Sequence, residues 1–143
     1  MNIKTKKEYY IRIFITDMKN ESITGLLGWG PIRIHNGHEW CGQEWGHWIT
    51  IGFDQARNWG SRENVLYEIN KIINEQPHQT EMQRICMNVN SDVYNISNSI
   101  QFRLSVVELD INNITMKELD YFCGTISNNQ ITLTDKGVSG EEK

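Results

Sequence analysis

Residues 35–48 read HNGHEWCGQEWGHW, and these fourteen positions hold three of the chain's four histidines, three of its five tryptophans and one of its three cysteines. Imidazole, thiolate and carboxylate are all zinc ligands. His35, His38, Cys41 and His47 follow one another as H-x2-H-x2-C-x5-H, with Glu39 beside them. A cysteine near imidazoles is also the raw material of a thiolate nucleophile. The spacing, however, fits neither a zinc finger nor a metalloprotease helix. Asn36-Gly37 has the composition of a type I′ hairpin turn, in which both central residues need positive φ. That turn sets His35 against His38, Ile34 against Glu39 and Arg33 against Trp40, with opposed Cβ atoms ~5 Å apart. Arg33, His35, His38 and Trp40 then share one face and Cys41 takes the other, apart from the imidazoles. No metal ligand, cofactor or catalytic residue is assigned on this basis. A metal-dependent enzyme built on His35, His38 and His47 is kept as the weakest alternative.

Other chemistry-bearing patterns are less specific. GLLGWG at 25–30 lacks the strand–helix setting and the Lys-Ser/Thr pair of a phosphate loop, and reads as a flexible or tightly turned segment. Glu108 and Asp110, two apart on one strand, could pair as acid and base, but such residues are more often a strand's solvated side. Cys86 and Cys123 have no neighbouring histidine, and no G-x-S-x-G elbow occurs.

Recognition fits the cluster better than catalysis. All five tryptophans lie between 29 and 59, with Gly28, Gly30, Gly42, Gly46 and Gly60 beside them. Exposed aromatics flanked by charge are the usual anchors of binding surfaces, each worth more than ~2 kcal/mol. Trp40 and Trp45, next to Glu39 and Glu44, are expected to meet a partner with His35 and His38 nearby, while Trp48 is expected to pack. The outward face of the main helix, with Glu68 and Glu75, is a second candidate surface.

The elements that must position these residues follow from periodicity. YYIRIFIT (9–16) alternates and is apolar on both faces, as a central strand is. A short helical turn is read near Ile23 to Leu27. HWITIGFD (47–54) reads as a strand with Ile49, Ile51 and Phe53 inward. SRENVLYEINKIINEQP (61–77) is the clearest helix. Ser61 can cap it, Pro77 lies beyond its end, and Val65, Leu66, Ile69, Ile72 and Ile73 form one stripe. Glu68, Lys71, Asn74 and Glu75 are expected to face water. RICMNVN (84–90) and SIQFRLSVVELDI (99–111) read as strands, the second with a bulge near Val106 where the apolar phase shifts. TMKELDYFCG (115–124) has the capping-box pair Thr115 and Glu118 and reads as a short helix, and QITLT (130–134) as a last strand. The sum is a single α+β domain over 1–134, a mostly antiparallel sheet with one main amphipathic helix packed on it. Residues 135–143 are expected to form a loose tail.

Composition limits the function. A chain of 143 residues is one ordinary domain. At this size folding buries roughly 70% of the unfolded surface without help from disulfides or metals. Fourteen Lys and Arg against eighteen Asp and Glu give a net charge of −4, which argues against direct nucleic-acid binding. Three cysteines without CxxC spacing suit reduced thiols. Lys4, Lys6 and Lys7 precede an apolar stretch that is short and broken by Arg12, so no leader is read. No run approaches the ~20 apolar residues of a membrane span. A cytoplasmic protein is expected.

In size, acidity and class, across the whole chain but without a shared motif, the sequence resembles the immunity proteins of bacterial polymorphic toxin and contact-dependent growth inhibition systems. The resemblance implies a non-enzymatic inhibitor that neutralises a cognate toxin, a basic protein, by stoichiometric binding. The alternative class is a small-molecule or nucleotide binder that sequesters a signalling ligand, with Arg33, Arg57 and Arg62 near the aromatics to hold phosphates.

Overall fold

The computed structural model describes residues 6–16, 22–35, 38–74, 85, 100–127 and 130–139, with the main chain alone at Ile34, His35 and Gln130. The order of elements is β1 (Lys7–Thr16), β2 (Ser22–His35), β3 (Trp40–Thr50), α1 (Arg62–Asn74), β4 (Ile100–Asp110), β5 (Thr115–Ser127) and β6 (Gln130–Val138). The six strands form one antiparallel sheet in the order β3-β2-β1-β4-β5-β6. The α+β class with one helix on a largely antiparallel sheet is therefore as the sequence indicates.

β1 is central because both of its faces are apolar. Ile11, Ile13 and Ile15 join Phe102, Leu104 and Val106 of β4 under Val65, Ile69 and Ile72 of α1, and all are buried. On the opposite face Tyr10 meets Leu26, Val107 and Leu109 in a smaller cluster. The register of β4 against β5 shifts between Val106 and Val107, which is why the inward-facing residues change phase there. The N–H of Asn64 donates to Ser61 Oγ at 3.1 Å and caps α1. Both guanidinium contacts from Arg62 to Asp120 are 2.8 Å and tie that end to β5.

Several local expectations are corrected. Residues 23–27 belong to β2 rather than to a helical turn. β3 ends at Thr50 rather than reaching 54, leaving Ile51 92% exposed, while Phe53 turns back onto the Tyr10 ring at 5.0 Å. Residues 115–124 are strand, not helix, because Glu118 does not cap main chain: its carboxylate reaches across to Arg103 and Ser105 on β4. Ile85 is helical and fully buried, so the strand read at 84–90 fails at that position; its other residues lie outside those described. β6 continues to Val138, so the first residues of the expected tail are paired with β5.

One departure from a regular sheet governs the rest. β1 pairs with β4 along its whole length, but with β2 only from Arg12 to Thr16. Beyond Leu26 the segment after β3 enters the gap. There the Arg57 N–H donates to the Leu27 carbonyl at 3.1 Å and the Trp59 N–H to the Tyr9 carbonyl at 2.8 Å. The Tyr9 N–H in turn donates to Asn58 Oδ1 at 3.0 Å. Backbone groups that a ladder would have satisfied are thus satisfied by a wedge, and the β2–β3 ribbon diverges from the sheet as an arm.

Candidate functional site

Tryptophans pack on both faces of the arm. On one face the Trp48 ring lies flat over β2, where a Cβ at Gly28 or Gly30 would sit 2.5 and 2.6 Å from it. The glycines of GLLGWG are therefore an indole's seat in a strand rather than a turn. On the other face, toward the helix, aromatic rings run in a row. Trp45 and Trp29 have centroids 6.4 Å apart, Trp29 and His47 4.8 Å edge to face, and His47 and Trp59 6.2 Å. A guanidinium stacks 4.5 Å over the indole at each end of this aromatic surface, Arg57 over Trp59 and Arg33 over Trp40.

The inner end of the row is anchored in the core. His47 is 2% exposed and its Nε2 lies 2.9 Å from Oε2 of Glu68, itself 6% exposed. This is an ion-pair distance, although the ring nitrogen is not aligned for a well-directed hydrogen bond. Burial pushes the Glu68 carboxyl up, but the contact with His47, reinforced by Lys71 and Arg57, outweighs it and holds the group below the usual carboxylate range. Glu68 thus does not face water with Lys71 and Asn74. It turns inward because β3 presents a cation-forming ring to that helix face. The second candidate surface is lost at Glu68, and Glu75 lies outside the described residues.

The remaining candidates gather at the outer end of the arm. His38 and Glu39 are exposed in the bend, Trp40 is half-buried beneath Arg33, Glu44 is exposed, and Trp45 is 65% exposed. His35 pairs with Trp40 through the main chain rather than with His38, and Arg33 pairs with Gln43. Ile34 thereby faces two residues, Cys41 and Gly42, in a bulge that Gly42 permits with φ of +144°. The connection is thus longer than a two-residue turn, and Asn36 and Gly37 lie outside the described residues. Arg33 and Trp40 still meet, through the guanidinium stack rather than as direct partners. The sequence reading missed Trp29, His47 and Trp59 as one surface, although Trp45, His47 and Ile49 at spacing two point to a shared strand face.

Among the described residues no three His, Cys, Asp or Glu side chains assemble as a metal site. Cys41 is exposed on the arm. Glu108 and Asp110 serve separate contacts. The first accepts from the Tyr9 hydroxyl at 2.8 Å and pairs with Lys7 at 3.4 Å, and the second accepts from the Asn112 N–H at 3.0 Å. Among the described residues no helix is long and apolar enough to cross a membrane. Compared with known proteins, the chain matches no family model, no curated protein and no solved structure.

Proposed function

We propose that this protein is a non-enzymatic binding protein and that the outer part of the β2–β3 arm is the surface it offers to a protein partner. The observation that carries this is the exposure of five consecutive residues of β3, from Cys41 to Trp45. A strand packed against a layer buries every second side chain; here consecutive β3 side chains on both faces are exposed, one of them a tryptophan, although Ile32 opposite Glu44 on β2 is buried. An indole held on a braced ribbon loses little conformational freedom on binding, which favours it as an anchor.

The specific form we infer is that of a cytoplasmic immunity protein neutralising a basic toxin by occlusion. The chain's net charge of −4 supports it, since opposite charge speeds encounter and buried aromatics slow release. The test is affinity purification of the tagged protein from its source cells, with intact-mass analysis of what accompanies it. A single stoichiometric basic protein is expected. Trp45→Ala should weaken that complex by about 30-fold, corresponding to ~2 kcal/mol, without lowering the thermal midpoint. Undiminished binding by this variant would remove the arm from the interface.

A further inference from the structure

We propose that the sheet face turned away from α1 carries a pocket for a small aromatic carboxylate, built where β1, β4, β5 and β6 run side by side. None of the arm residues 41–45 lines it, so it stands apart from the protein-binding reading.

The pairing register builds the pocket. Ile13, Ile15, Phe102 and Leu104 pack under α1, so the residues between them in each strand point the other way. Phe14 of β1 lies opposite Arg103 of β4, and Arg103 opposite Cys123 of β5, which makes one row across three strands. Thr16, Gln101 and Thr125 make the next row. Together with Thr134 of β6 they line a cavity of about 360 Å³. Small-molecule sites run from ~300 to ~1,000 Å³, so this one suits a single ring with its substituents.

Two side chains select the ligand. Phe14 is 39% exposed and offers its ring to another. Arg103 is held in place by a stack 4.2 Å from the Tyr121 ring centre, and its Nε and Nη2 donate to the Glu118 carboxylate at 3.0 and 2.6 Å. A guanidinium has a second donor edge. Here Nη1 on that edge has the Cys123 sulfur at 3.9 Å, in the wall of the cavity. Sulfur accepts weakly, so a carboxylate oxygen would be the stronger partner for this donor. Charge favours a monoanion. Arg103 and Arg12 both pair with Glu118, leaving one positive charge over. Asp135, opposite Cys123 on β6 but outside the lining, disfavours the second negative charge of a phosphate monoester.

The test adds benzoate and cinnamate, their neutral amides and phenyl phosphate to the full-length protein. The readout is alkylation of each cysteine by iodoacetamide, followed by peptide mass spectrometry. At saturation at least one carboxylate should slow reaction at Cys123 by about fivefold or more, whereas exposed Cys41 should react unchanged. The amides and the phosphate should need about tenfold higher concentrations. Phe14→Ala and Arg103→Gln should each raise the concentration of carboxylate needed by about tenfold. Arg103 also holds Glu118, so Phe14→Ala, at a partly exposed site, decides the matter if the arginine variant does not fold. Failure of both carboxylates to protect Cys123 would overturn the pocket, as would equal protection by the amides, equal slowing at Cys41 or indifference to Phe14→Ala. Protection by phenyl phosphate at the same concentration would overturn the choice of a carboxylate. None of these results touches the Trp45-dependent partner complex, so the two readings fail separately.

Discussion

His47 on β3 and Glu68 on α1 bring Nε2 and Oε2 to 2.9 Å in the buried core, joining the arm to the helix. Removing either partner alone takes this contact from a polar group that stays buried. Glu68→Ala and His47→Ala should each cost about 3 kcal/mol in urea denaturation, whereas replacing both with leucine should cost less than the sum. Additive losses would show that the pair is not coupled.

The seat of Trp48 makes a second, independent prediction. Gly30→Ala places a methyl group 2.6 Å from the indole, so the ring must lift and the fold should lose about 1–3 kcal/mol. The same substitution in a Trp48→Ala background should be nearly neutral. An equal loss in both backgrounds would mean that something other than the indole requires glycine at this position.

Acid should destabilise the protein through Glu118 more than through carboxylates whose pKa folding leaves unchanged. Burial raises this carboxyl, but hydrogen bonds from Arg103, Ser105 and Ser139 and the charge of Arg103 outweigh it, bringing the pKa to about 2. A pKa lowered on folding contributes stability that is complete above the ordinary value of 4.5 and is lost as pH falls toward 2. The loss should be of order 3 kcal/mol at most. Glu118→Gln should be less stable at neutral pH and should flatten the stability–pH curve between those limits. An unchanged curve would show that other carboxylates control acid unfolding.

Asn58 closes the wedge by accepting from the Tyr9 N–H at 3.0 Å and the Gly60 N–H at 2.9 Å. Asn58→Ala should cost about 1–2 kcal/mol and accelerate amide exchange at Tyr9 more than at Ile13, whose ladder is intact. Equal acceleration at both positions would mean that the wedge and the sheet open together.

The fold was legible where one interaction scale dominated. The stripe from Val65 to Ile73 and the alternation of Ile11, Ile13 and Ile15 report direct burial, and both survive folding unchanged. Residues 115–124 misled because Thr115 and Glu118 have helix-capping spacing, while the deciding contacts come from Arg103 and Ser105 on another strand. Similarly, Gly28 and Gly30 look like loop residues until Trp48 is placed over them. The exposure of Trp45 and Glu44 was readable from local composition alone. The burial of Glu68 was not, because its counter-ion is supplied by His47 from a distant part of the chain.

The wedge between β1 and β2 also separates what can vary from what cannot. Strands β1, β4, β5 and β6 form a continuous block with α1, and none of their pairings involves residues 41–45. Those five positions can therefore be exchanged as a cassette without redesigning the block. On the binding reading proposed above, rewriting this short segment would change the target and keep the scaffold.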